Sequence, residues 1–231
     1  MDFTYEQIAK LIDHSLLDPT LTDEALETGC RLARHYDVAS VCIKPYWLAR
    51  CVELLAGSTV EPSTTIGFPH GAQTTSLKRR EAEEMLDLGA TELDMVINIG
   101  KALSGDWQYV TDDIRAVADA AHERGKLVKV IFENCYLNDQ HKIRLCQICG
   151  EVGAEFVKTS TGYGTSGATH DDLRLMRAHS PPRVRVKAAG GVRTFDQLLA
   201  VRALGVTRIG ASRTADILDE CRRRLGSNEK S

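Results

Sequence analysis

Four times in this chain a helical stretch closes on a glycine, and an apolar run begins within a few residues. The pattern is Asp87-Leu88-Gly89-Ala90 before Glu92-Leu93-Asp94-Met95-Val96-Ile97, and Glu123-Arg124-Gly125-Lys126 before Leu127-Val128-Lys129-Val130-Ile131-Phe132. It returns as Glu151-Val152-Gly153-Ala154 before Phe156-Val157-Lys158, and as Ala203-Leu204-Gly205 before Val206-Thr207-Arg208-Ile209-Gly210. Glycine takes the left-handed conformation that ends a helix, and a short turn then feeds a strand. Short strands alternating with longer helical stretches specify βαβ units and a parallel sheet.

The remaining apolar runs extend the pattern to eight candidate strands, near residues 12–17, 38–43, 64–68, 92–97, 127–132, 155–159, 184–188 and 206–210. A short helix near 4–10 precedes the first, with Thr4 and Gln7 placed as a capping box, and Thr22, Thr75 and Thr194 stand where later helices need caps. Eight units suit a single (β/α)8 barrel. An open doubly wound sheet is the alternative, but no G-x-G-x-x-G follows the first strand. The expected domain spans residues 1–225, with 226–231 a flexible tail.

With 231 residues, 43% hydrophobic and 26% charged, the chain has the composition of a soluble globular domain of that size. A net charge of -3 gives no sign of a nucleic-acid partner. No run approaches the roughly 18 apolar residues of a membrane span, and the first residues do not read as a secretory signal. Seven scattered cysteines read as reduced thiols in the cytoplasm. Cys146 and Cys149 form a C-x-x-C but read as two small side chains one helical turn apart. No cluster has metal-ligand spacing, so no metal is expected.

Function in a barrel lies at the C-terminal strand ends and the loops after them. Three ionisable residues interrupt strands there: Asp94, Lys158 and Lys187. Lys158 and Lys187 fall on the sixth and seventh strands, which are neighbours. Two ammonium groups about 4–5 Å apart repel by roughly 3–4 kcal/mol at an effective dielectric near 20, which would draw one lysine from about 10.4 to roughly 7–8. A neutral amine is what a Schiff-base nucleophile requires. The alternative is that each lysine turns outward, or pairs structurally with Asp94 or Glu133. Lys129 also interrupts a strand but lacks a Gly/Ser/Thr-rich loop after it, and reads as structural. Asp94 suits proton transfer beside an imine, or a counter-ion role.

The loops Thr159-Ser160-Thr161-Gly162, Gly190-Gly191 and Gly210-Ala211-Ser212 follow strands six to eight. Their small residues let backbone N–H groups approach a phosphate. Asp13 and His14 end the first strand and are pocket candidates. Cys42 is either pocket-facing or core, and His70 reads as a loop residue.

Together, Ile12-Asp13-His14-Ser15-Leu16-Leu17, Val41-Cys42-Ile43, Ile66-Gly67-Phe68-Pro69, Glu92-Leu93-Asp94-Met95-Val96-Ile97-Asn98, Phe156-Val157-Lys158-Thr159-Ser160-Thr161-Gly162 and Lys187-Ala188-Ala189-Gly190-Gly191-Val192-Arg193 resemble the deoxyribose-phosphate aldolase family. The resemblance runs from about residue 8 to about residue 218. It implies reversible cleavage of 2-deoxy-D-ribose 5-phosphate to acetaldehyde and D-glyceraldehyde 3-phosphate, without metal or organic cofactor, in deoxyribonucleotide catabolism. It makes Lys158 the Schiff-base lysine, Lys187 the residue that lowers its pKa, and Asp94 the proton donor and acceptor working through a water. Gly190, Gly191, Gly210 and Ser212 would hold the phosphate, and Asp13 and Thr161 would line the pocket. It also implies a dimer or tetramer. Lys44, Tyr163 and Arg213 depart from the family pattern and bear on phosphate affinity and substrate breadth. Another imine-forming sugar-phosphate aldolase and a non-catalytic phosphosugar-binding barrel are the other readings.

Overall fold

Eight parallel strands close into one barrel, each hydrogen-bonded to the next and β8 back to β1, in a computed structural model that describes residues 3–228. The strands are β1 Ile12–Leu16, β2 Ser40–Ile43, β3 Glu61–Ile66, β4 Glu92–Val96, β5 Leu127–Ile131, β6 Phe156–Lys158, β7 Arg185–Ala189 and β8 Arg208–Ala211. The helices are α1 Tyr5–Ala9, α2 Asp23–Tyr36, α3 Leu48–Leu55, α4 Thr75–Asp87, α5 Ile99–Leu103, α6 Trp107–His122, α7 Asp139–Val152, α8 His170–His179, α9 Phe195–Ala203 and α10 Thr214–Asn228. The (β/α)8 architecture expected from the sequence is the one observed.

The four pattern glycines do what their positions required: Gly89, Gly125, Gly153 and Gly205 all have positive φ. Thr4 and Thr194 cap α1 and α9 in full capping boxes, and Thr22 caps α2. The cap of α4 is Thr74 rather than the expected Thr75. Thr75 has moved one place into the helix, where its hydroxyl reaches Asp113 on α6. Strand β3 starts at Glu61, earlier than expected. Pro62 reads as a breaker, yet its carbonyl accepts from Thr91, and parallel pairing at that point needs only the acceptor. Helix α10 continues through Asn228, past Leu225 where a tail seemed to begin. Residues 229–231 of that tail lie outside the described residues.

The strands alternate between two environments. Val41, Leu93, Met95, Val128, Val130, Val157, Val186 and Ile209 belong to the apolar layer between sheet and helices. The intervening positions face the barrel axis and include Asp13, Ser40, Glu92, Asp94, Lys129, Lys158, Lys187 and Arg208, all buried. Barrel interiors are usually packed with branched apolar side chains, and this one is filled largely by charge.

Candidate active site

Strand register places the two lysines side by side. Lys158 and Lys187 are direct partners across β6 and β7, and Asp94 is the partner of Lys129 across β4 and β5. Asp94 Oδ2 lies 2.7 Å from Lys158 Nζ and 2.7 Å from Lys187 Nζ, so one oxygen bridges the two amines. Its other oxygen accepts from Lys129 Nζ at 2.9 Å. Lys187 also donates to Asp13, whose Oδ1 accepts from Ser40 Oγ at 2.7 Å. The lysines therefore pair with Asp94 and not with Glu133. Glu133 turns to the β6 loop, accepting from the backbone N–H of Thr161 at 3.2 Å and from the Thr161 hydroxyl.

Lys129 was expected to be structural. It lies inside the same network, in contact with Asp13, Glu92 and Asp94, and is fully buried. The absence of a glycine-rich loop after it was no guide, because inward direction is set by strand parity rather than by the following loop.

Burial lowers the pKa of Lys158, and the neighbouring Lys187 charge adds to that effect while Asp94 opposes it. Desolvation is thus the larger cause, and the second cation assists it. Burial acts on Lys187 too, but Asp13 and Asp94 outweigh it and raise its pKa. Burial pushes the Asp94 carboxyl upward, but Lys129, Lys158 and Lys187 overcome it and hold the group well below the carboxylate range. Asp13 is held down in the same way, chiefly by Lys129, Lys187 and Arg208.

Lys158 and Lys187 open onto a cavity of about 200 Å³ at the C-terminal end of the barrel. Its wall brings together Asp13, Cys42, Thr161, Gly162, Gly190, Gly191, Gly210 and Ser212 of the expected pocket residues, but not His14. Asp94 is fully buried and does not line this wall, although both lysines that it bridges do. Gly190 and Gly191 have positive φ, and a Cβ on Gly190 would meet the backbone of Gly167 at 2.9 Å. The Gly190-Gly191 loop leads into α9 and the Gly210-Ala211-Ser212 loop into α10. Sequence reasoning missed Ser15, Leu17, Ala189, Val192 and Arg193 as lining residues. Strand parity would have found Ser15, which lies two places from Asp13. Arg193, two residues after the diglycine, brings a cation to the expected phosphate end.

His14, next to Asp13, points the opposite way. Its Nδ1 is 2.8 Å from Thr214 Oγ1, and burial lowers its pKa to about 4. Cys146 and Cys149 are buried on α7, where desolvation pushes the Cys146 thiol up to about 11. His70 is exposed in its loop. Tyr163 stands edge-on to Phe68, with ring centres 5.6 Å apart, and its hydroxyl donates to Leu17 O at 2.8 Å. Lys44 Nζ donates to Asp18 O and Leu21 O, both at 3.0 Å. Two of the departing residues therefore hold the loop after β1, which carries Leu17 at the mouth. The third, Arg213, lies off the cavity wall and pairs with Asp216 at 3.1 Å.

Residues 7–212 match the model of the DeoC/LacD family aldolases. The chain belongs to the DeoC/LacD aldolase family. Among curated members, the deoxyribose-phosphate aldolase of Rhodopirellula baltica is 59% identical over 97% of this chain and 93% of its own length. That of Thermococcus gammatolerans is 48% identical over 93% and 96%. Among solved structures, an aldolase named QR15 superposes with a TM-score of 0.89 at 32% identity, covering 94% of this chain and 97% of its own. The deoxyribose phosphate aldolase of Aeropyrum pernix, described as a tetramer, superposes at 0.87 with 29% identity, covering 95% and 92%. Among the described residues no helix of this family member is long and apolar enough to cross a membrane.

Proposed function

We propose that this barrel is a class I aldolase that reversibly cleaves 2-deoxy-D-ribose 5-phosphate to acetaldehyde and D-glyceraldehyde 3-phosphate through an imine at Lys158. The observation that carries the reading is the contrast between two adjacent lysines on the cavity wall. One is shifted toward the neutral amine and the other is held charged, and they share a single carboxylate oxygen.

In this mechanism the neutral Lys158 nitrogen attacks the aldehyde carbon of the open-chain sugar, and loss of water gives the iminium. The iminium withdraws electrons as the bond between the second and third carbons breaks. The hydroxyl on the third carbon loses its proton and becomes the aldehyde of glyceraldehyde phosphate. The enamine left on Lys158 takes a proton at carbon, and water releases acetaldehyde. Asp94, held ionised beneath both amines, is placed to accept and return those protons through an intervening water or Lys187. Lys187, held cationic, favours the neutral form of its neighbour. Gly190, Gly191, Gly210, Ser212 and Arg193 receive the phosphate, where close backbone approach and helix N-termini favour an anion. A cytoplasmic homo-oligomer serving deoxyribonucleotide catabolism completes the reading.

Borohydride reduction in the presence of acetaldehyde, followed by peptide mapping, tests it. The expected product is an N-ethyl group on Lys158. Labelling of Lys187 would exchange the two lysine roles, and labelling of neither would remove the imine. Asp94→Asn should still trap the imine but turn over slowly.

A further inference from the structure

Glu92 begins β4 and Arg208 begins β8, at the floor of the barrel and away from the cavity. Glu92 instead borders a separate hollow on the opposite face, with Glu61, His122, Lys126 and Glu155. Arg208 forks between Asp13 and Glu92, and Glu92 also holds Lys129. Through Lys129 and Asp94 these floor residues connect to Lys158.

The connected cluster holds four cations, Lys129, Lys158, Lys187 and Arg208, against three carboxylates, Asp13, Glu92 and Asp94. No member is more than 9% exposed, so solvent supplies little counter-charge. An unbalanced buried charge is costly, and neutrality is reached when one cation gives up its proton. Arginine does not do so. Lys129 touches three carboxylates and Lys187 touches two, whereas Lys158 touches one and shares it.

We propose that Arg208 and Glu92 are positioning residues for the reaction, fixing an excess of one cation over the carboxylates in the barrel so that Lys158 is the amine left without a proton. This rests on the imine reading. Among the described residues, the other groups around the cluster form no ion pair with its members. Cys42 on β2 is a thiol held neutral by burial, and Ser63 and Thr65 on β3 are uncharged. Glu133 is turned to Thr161. Arg185, at the start of β7, stacks over the Phe156 ring at 3.9 Å and is partly open to solvent.

The test is the pH dependence of acetaldehyde trapping at Lys158, followed beside that of kcat/KM in the whole protein. Arg208→Gln leaves three cations and three carboxylates. Its ascending limb should move to higher pH by about one unit, roughly tenfold less trapping below the limb, with recovery above it. Glu92→Gln removes a carboxylate and should move the limb by a similar amount to lower pH. Arg208→Lys keeps the charge and should keep the limb in place. A purely structural role would reduce yield or amplitude in both variants without moving the limb. Limbs that stay fixed, or move in the same direction, overturn the proposal. If Arg208→Gln does not fold, Glu92→Gln decides the matter by itself. Absence of any trapped imine in the unaltered protein overturns the imine reading together with this inference, whereas normal trapping with unmoved limbs overturns the inference alone.

Discussion

Lys78 on α4 and Asp113 on α6 form an ion pair outside the barrel, as deeply buried as the cluster within it. Lys78 also donates to Val96 O at 2.9 Å, and Thr75 donates to Asp113 at 3.0 Å. Burial lowers the pKa of Lys78 and raises that of Asp113, each toward its neutral form, with the partner opposing. Lys158 resembles Lys78 in this respect: it has one carboxylate partner and a pKa lowered chiefly by burial. The two lysines differ in access and in charge balance. Lys78 is sealed behind helix α4 in a pair of matched charges, whereas Lys158 opens onto a cavity and belongs to a cluster with one cation to spare. A perturbed lysine is therefore not by itself a nucleophile. It becomes one where the neutral form is favoured and a carbonyl can reach it.

Replacing each lysine by methionine should separate these roles most widely. Lys158→Met should lower kcat/KM by roughly a thousandfold or more, since no other amine on the wall is shifted toward neutrality. On the proposed reading it should fold normally, because methionine then stands in for an amine without its proton. Activity assays beside circular dichroism check both parts. Unfolding of this variant would erase the contrast with Lys78.

Lys78→Met should have the reverse effect. It leaves Asp113 buried without its cation, a loss of about 3–5 kcal/mol of stability, while kcat per folded molecule stays close to the parent value. Denaturant melts with active-site titration measure both. A variant of unchanged stability would show that the pair contributes nothing to the fold.

His14 supplies a buried titratable group with no charged partner. Its pKa in the folded protein is about 4, below the value of 6.5 expected when exposed, so the unfolded chain binds the extra proton between those limits. Its contribution is therefore complete above pH 6.5 and declines as pH falls toward 4, by up to about 3 kcal/mol. Stability measured across that window should fall in the parent and flatten in His14→Gln. An equal slope in both proteins would assign the loss to other groups.

The smallest effect is expected at the mouth. Tyr163→Phe keeps the edge-on contact with Phe68 and removes the hydrogen bond to Leu17 O, at a cost of about 1 kcal/mol or less at this partly exposed site. Differential scanning calorimetry and the KM for the phosphosugar are the measurements. A KM change without a stability change would make the hydroxyl a substrate contact rather than a loop tie.

Much of the fold was legible because its signals are local. Gly89, Gly125, Gly153 and Gly205 mark helix ends through their own backbone conformation, and Thr4, Thr22 and Thr194 cap helices three residues away. Where reading failed, a distant partner had intervened. Thr75 was drawn from a capping role to Asp113, and Pro62 joined β3 because Thr91 needed its carbonyl. Asp94, Lys158 and Lys187 stood out because a charge inside an apolar strand demands a partner. Lys129, Glu92 and Arg208 carry the same signal, yet Lys129 was read as structural and the other two were not singled out.

The sequence by itself determined the alternation of strand and helix and which side chains share a strand face, since both follow from backbone preferences and a period of two. Closure of the eighth strand onto the first was decided only in three dimensions. So was the meeting of residues nearly two hundred positions apart, such as Asp13 with Lys187 and Arg208. The charge state of Lys158 belongs to that second group, because it depends on how many cations and carboxylates are enclosed together, a sum that no stretch of chain contains.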